Sequence, residues 1–346
     1  MLISGIQQLG VGLTDVRTAF TWYKAHFGAT VAVFDEAAVA DRMLPYTQGE
    51  ARMRHAILAV NMRGGGGFEL WQYTEREPRP APFQVEVGDL GIFAGKLKCA
   101  DAHVARAFLE RRGASLPGEI VHRPDHRSSF YVHDLYGNPY EVVEEPRHFT
   151  KRSHPIGGVF GAVVGCSSIE ASREFYGSVL GYDRLVFETA DPGTLAHLPG
   201  GAGRAVRRVV LRASKPRRGP FSPLLGPSEI ELVETPGHAG RRIFEGRDWG
   251  DQGFIHLCFD VRGMDELSRL SAKHGAPFTV DTGESFDMGE AAGRFAYCED
   301  PDGALVEFVE THRLPIVRKL GWGLDLRKRP DEEPLPRWVL RGLELG

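Results

Sequence analysis

The sequence predicts an α+β protein of four βαβββ modules, paired into two tandem domains. Three observations predict it: an internal repeat, strand-like alternation where modules begin, and amphipathic helices that stop at glycine.

The repeat organises the chain. Gly88-Asp89-Leu90-Gly91-Ile92-Phe93-Ala94 matches Gly250-Asp251-Gln252-Gly253-Phe254-Ile255-His256 at an offset of 162 residues. At the same distance beyond each lies a helical stretch closed by glycine, Arg112-Gly113 and His274-Gly275. Asp134-Leu135-Tyr136-Gly137 before Tyr140-Glu141-Val142-Val143-Glu144 corresponds to Asp300-Pro301-Asp302-Gly303 before Val306-Glu307-Phe308-Val309-Glu310. Thr21-Trp22-Tyr23 leads to Gly28 as Glu174-Phe175-Tyr176 leads to Gly181, and Phe68-Glu69-Leu70 matches Ile230-Glu231-Leu232.

One half therefore covers residues 1–147 and the other 155–312, with the polar stretch 144–154 as linker and 313–346 as a C-terminal extension. Each half divides again, so that modules begin near Ile6, Gly91, Gly158 and Gly253. Strands are read from alternation, as from Phe254 to Val261, and helices from apolar spacing, as in Val104, Phe108 and Leu109 before Gly113.

Composition bounds the function. The chain has 346 residues, 42% hydrophobic and 25% charged, ordinary for a globular protein with two cores. A net charge of -4 gives no reason to expect nucleic acid or an anionic membrane as partner. The basic runs Arg204-Ala205-Val206-Arg207-Arg208 and Lys215-Pro216-Arg217-Arg218 read as solvated surface. Cys99, Cys166, Cys258 and Cys298 form no CxxC pair, which fits a reducing compartment. With no signal-peptide pattern and no membrane-length apolar run, the expected location is cytoplasmic.

Asp300-Pro301-Asp302-Gly303-Ala304-Leu305-Val306-Glu307 and Gly253-Phe254-Ile255-His256-Leu257 resemble the closing and opening strands of the vicinal oxygen chelate superfamily. That superfamily includes glyoxalase I, methylmalonyl-CoA epimerase, extradiol dioxygenases and bleomycin-resistance proteins. The resemblance spans roughly residues 5–312 and implies cupped mixed sheets, with ligands on the first and last strands of each module. It implies the positions Gln8, Glu69, Ala94 and Glu141 in the first domain and Gly161, Glu231, His256 and Glu307 in the second.

Ala94 offers no donor atom and Gln8 only a neutral one, so the first domain is expected to be degenerate as a metal site. The second offers Glu231, His256 and Glu307 for a divalent ion, with an open position where Gly161 stands. One nitrogen and two carboxylates suit Fe, Mn, Ni, Co or Zn without ranking them. Glu231 is also the expected base, with Asp287 and Glu290, in a loop rich in small residues, as further acid or base candidates.

His122, His126 and His133 fit no metal spacing, and Gly64-Gly65-Gly66-Gly67 reads as a hairpin turn without a phosphate loop's Lys-Ser/Thr. The extension is expected to pack across the domains or at a homodimer contact. The resemblance implies isomerase or lyase proton transfer on a small molecule chelated through adjacent oxygens. Ring-cleaving dioxygenation and metal-free binding or resistance stand as alternatives. The single histidine counts against the former, which ordinarily uses two.

Overall fold

The computed structural model describes residues 1–151, 154–283, 286–288, 291–317 and 322–345. The first module holds β1 (Leu2–Gly12), α1 (Val16–Phe27), β2 (Val31–Ala40), β3 (Arg52–Val60) and β4 (Gly67–Tyr73). The second holds β5 (Gly91–Cys99), α2 (Ala102–Glu110), β6 (Val121–His122), β7 (Ser128–His133) and β8 (Pro139–Glu144). The third holds β9 (Ile156–Gly165), α3 (Ile169–Ser178), β10 (Arg184–Thr189), β11 (Arg207–Arg212), the short α4 (Ser222–Leu225) and β12 (Glu229–Glu234). The fourth holds β13 (Gly253–Arg262), α5 (Met264–Lys273), β14 (Val280–Asp281), β15 (Phe286–Met288), β16 (Ala291–Glu299) and β17 (Leu305–Val317). The extension adds β18 (Trp322–Asp325) and α6 (Arg337–Arg341).

Local chemistry sets the helix starts. The side chains of Asp15, Asp101 and Ser168 accept hydrogen bonds from the first-turn N–H groups of α1, α2 and α3. These donors have no partner within the helix, so each cap fixes where the helix begins.

The strands form two sheets. One runs β14-β16-β17-β13-β1-β4-β3-β2, with β15 on β16 and β18 on β17; the other runs β10-β11-β12-β9-β5-β8-β7-β6. The first module thus shares a sheet with the fourth, and the second with the third. This corrects the expected pairing of neighbouring modules within 1–147 and 155–312. Its cause is that β1 joins β13 and β5 joins β9, both antiparallel, so the central seam of each sheet crosses between the halves.

Consecutive modules remain locked by their helices. The Tyr23 hydroxyl donates to Asp134 at 2.7 Å, and the Tyr176 hydroxyl donates to Asp300 at 3.1 Å. The repeated aromatic pair and the repeated Asp turn therefore meet, first module to second and third to fourth. The outer faces of both sheets and the helices bury one shared apolar core, including Tyr23, Phe68, Tyr140, Tyr176 and Phe308.

Gly64-Gly65-Gly66-Gly67 does link β3 to β4, but it also lies where the two sheets touch. Gly66 bridges Val159, and a Cβ on Gly65 would sit 2.7 Å from the Gly158 backbone. In the extension, Val339 and Leu340 are buried against Phe221, Leu224 and Leu314. Among the described residues no helix is long and apolar enough to cross a membrane.

Candidate metal centre

The site lies on the inner face of the sheet built from the first and fourth modules. Its four central strands β4, β1, β13 and β17 each contribute one side chain: Glu69, Gln8, His256 and Glu307. His256 is paired across the sheet with Gly10, and Gly10 with Glu69. Gly10 makes the site possible, because a Cβ there would sit 2.5 Å from the imidazole Cε1.

The β1–β13 register slips between the Gly10/His256 and Val11/Phe254 pairs. This irregularity departs from simple alternation, which puts Phe254 and His256 on one face. Phe254 joins the shared core, while Ile255 packs with Trp71, Trp249 and Tyr297 on the cup side.

The donors converge. His256 Nε2 lies 3.2 Å from Glu69 Oε2 and 3.1 Å from Glu307 Oε2. Gln8 Nε2 donates to the same two oxygens at 3.0 and 3.3 Å. Behind the imidazole, the Tyr297 hydroxyl lies 3.4 Å from Nδ1 and Trp249 stacks at 6.2 Å. Burial opposes a charge on His256, but Glu307 and Glu69 outweigh it and raise its pKa to about 10. Burial likewise opposes the Glu307 carboxylate, and the imidazolium prevails and lowers its pKa.

These residues fit a divalent ion. Among the described residues, Glu69, His256 and Glu307 offer ligand atoms within 4.8 Å of one another. His256 Nε2 is buried between the two carboxylates, in poor hydrogen-bond geometry to both, and a divalent ion would take the place of its proton. Gln8 provides a neutral fourth donor when its amide is turned to present oxygen. A cavity of about 190 Å³ opens beside Gln8, Glu69 and Glu307 and runs over Trp71 and Leu58.

Residues 159–308 match the family model of the Glyoxalase/Bleomycin resistance protein/Dioxygenase superfamily. The match covers less than half of the chain, and it is this segment that is similar to the superfamily. The chain's fold is similar to that of glyoxalase I from Zea mays, at 12% identity and a TM-score of 0.56, covering 88% of this chain and 92% of that one. It is equally similar to a Bacillus subtilis subsp. subtilis str. 168 protein named as a candidate dioxygenase, at 14% identity and a TM-score of 0.56, covering 89% and 86%. No curated protein sequence matches the chain.

The superfamily's inner-face positions also occur in the second sheet, where their chemistry differs. Glu231 and Glu141 face each other there, with Lys96 between them at 2.5 Å from each; Glu229 lies 3.1 Å from the same ammonium. Arg208 holds the other side of Glu231 at 2.7 Å, and Arg123 and Arg127 hold Glu229 at 2.7 and 2.6 Å. Burial opposes the Lys96 charge, yet Glu141, Glu231 and Glu229 raise its pKa. Lys96 is the central cation of this cup, flanked by Arg208, Arg123 and Arg127.

Glu231 is therefore not beside His256, contrary to its expected place as ligand and base. The crossed sheets put its repeat counterpart Glu69 there instead. His256 and Glu307 do meet. Asp287 belongs to the described backbone of β15, but its side chain and all of Glu290 lie outside the described residues. Arg208, taken from its basic run as surface, is buried.

Gln8 and Glu69, expected as ligand positions of the first domain, stand instead beside His256 and Glu307. Lys96 is not among the expected residues, although two lysines, Lys96 and Lys98, in one short strand of otherwise apolar and small residues are a usable signal.

Proposed function

We propose that the chain is a divalent-metal-dependent enzyme that moves a proton on a small molecule held through two adjacent oxygens, an isomerase or lyase in outcome. The convergence of Gln8, Glu69, His256 and Glu307 beside a cavity carries this reading. A bound ion would supply Lewis acidity to the chelated oxygens and favour an enolate-like charge.

The protein's residues divide the remaining work. Glu307 is held from several sides, by His256, Cys258 and Tyr297. Glu69 is the more accessible carboxylate, 13% exposed against 8%, and it lines the cavity. Glu69 is therefore the group that takes and returns the substrate proton. Tyr297, beside Nδ1, orients the imidazole. Trp71 and Trp249, in edge contact at 4.2 Å, keep this end of the cup dry.

The test uses 2-hydroxyacetophenone, which has two adjacent oxygens and exchangeable α-hydrogens. Protein loaded in turn with Mn, Fe, Co, Ni or Zn is incubated with it in deuterium oxide and followed by proton NMR. Metal-dependent loss of the α-hydrogen signal supports the proposal. Protein that takes up no metal, or that consumes oxygen stoichiometrically with turnover, rejects it in favour of binding or dioxygenation.

A further inference from the structure

The cavity beside the metal centre is closed by parts of the chain outside the two modules that supply its ligands. Phe221, Leu224 and Leu225 come from the third module, and Leu343 from the end of the extension. Leu343 is half-buried and packs on the cluster formed by Leu58, Val60, Phe221 and Leu314. That position is fixed by α6, whose Val339 and Leu340 are buried in the same cluster. The extension thus reaches the inner face on which Glu69 and Glu307 stand.

Charge on this wall is already matched. Arg54 lies 3.0 Å from Glu36 and stacks over Trp71 at 5.4 Å, and Arg42 lies 3.5 Å from Asp41. These are the cations of the described cavity wall, and each has its carboxylate. The wall's remaining carboxylates, Glu69 and Glu307, repel an anionic substituent. Size is also bounded. At about 190 Å³ the cavity exceeds the roughly 150 Å³ that admits benzene and falls below the roughly 300 Å³ of ordinary drug-sized sites.

We infer that the C-terminal extension is the specificity wall of this site, selecting an uncharged apolar body about the size of one aromatic ring, with Leu343 as its contact residue. The identity of the chelated head rests on the function proposed above; the apolar pocket does not. Anionic conjugates are disfavoured because, among the described residues, each wall cation already pairs with a carboxylate. A two-ring body fills or exceeds the enclosed volume.

Two calorimetric titrations test this separately from metal chemistry. In the metal-free full chain, p-cresol is expected to bind at one site and benzoate at least tenfold more weakly. In the metal-loaded chain, benzohydroxamate is expected to bind ten- to a hundredfold tighter than acetohydroxamate, the order expected for burying one ring. Succinic monohydroxamate and 2-naphthohydroxamate should show no such gain. Leu343→Glu should remove the p-cresol site and the benzohydroxamate advantage while acetohydroxamate affinity stays within twofold; Leu343→Met should keep both.

Equal affinity for p-cresol and benzoate, or an unchanged ring preference in folded Leu343→Glu protein, overturns the inference. If Leu343→Glu fails to fold, the wild-type ligand order decides alone. Protein that binds p-cresol but no metal sinks the proposed function and leaves the wall standing. Protein that binds metal and acetohydroxamate without a ring preference does the reverse.

Discussion

Glu231 and Glu69 hold equivalent places in the two sheets, yet Glu231 lies 2.5 Å from the Lys96 ammonium while Glu69 lies 3.2 Å from the His256 imidazole. Both cups satisfy buried carboxylates with a cation. In one the cation is covalently part of the chain. In the other the donor set fits an exchangeable ion.

Replacing Lys96 should expose this equivalence. Lys96→Ala leaves Glu141, Glu229 and Glu231 buried around a vacated position, which should cost on the order of 3–5 kcal/mol. Millimolar Mn²⁺ or Ca²⁺ should then restore part of the lost thermal stability in the variant and none in a Lys96→Met control. An equal response of the two variants would show that the ammonium is not standing in for an ion.

Gly10→Ala should abolish metal binding without unfolding the chain, because its Cβ meets the His256 ring 2.5 Å away. Elemental analysis after dialysis should find less than a tenth of wild-type metal, as for His256→Ala, while circular dichroism stays native. Full occupancy in Gly10→Ala would mean that the imidazole has room to move.

Glu69→Gln should keep much of the metal and lose roughly 10²–10⁴-fold in α-hydrogen exchange, the usual contribution of a general base. Glu231→Gln should leave metal content at wild-type level and lower the melting temperature instead. Parallel loss of metal and exchange in Glu69→Gln would reduce Glu69 to a ligand.

Acid should weaken the Lys96 cup. Burial alone raises the Glu231 pKa, but Arg208 and Lys96 outweigh it and hold it at about 2, below the 4.5 of an unperturbed Glu. The unfolded chain therefore binds protons first as pH falls. Stability from Glu231 is fully present above about pH 4.5 and lost progressively towards pH 2. Denaturant midpoints should fall over that window, and the fall should be smaller in Glu231→Gln. A flat profile from pH 5 to 3 would contradict the pairing.

Much of this was legible in the residues. Modules follow from the internal repeat and helices from apolar spacing before glycine, while the inner-face positions Gln8, Glu69, His256 and Glu307 follow from the family resemblance. Pairing does not. Gln8 and Glu69 sit at the right places in their own module, but β1 meets β13 only through tertiary packing, and no local signal distinguishes that partner from β5. The slip near Ile255 escaped for a related reason, since alternation assumes an uninterrupted ladder. Lys96 was overlooked because a strand lysine is ordinarily solvated, and only the surrounding Glu141, Glu229 and Glu231 make its burial tolerable.

The crossing of modules also governs how the protein can be made. β1 leaves the ribosome well before its partner β13, which begins some 250 residues later, at Gly253. Until then the first module carries an open sheet edge along Leu2–Gly12, a template for pairing with another nascent chain. Closing so long a loop is slow, which lengthens the exposure. Slow translation or a holding chaperone should therefore matter more for yield here than in a chain whose neighbouring modules pair as they emerge.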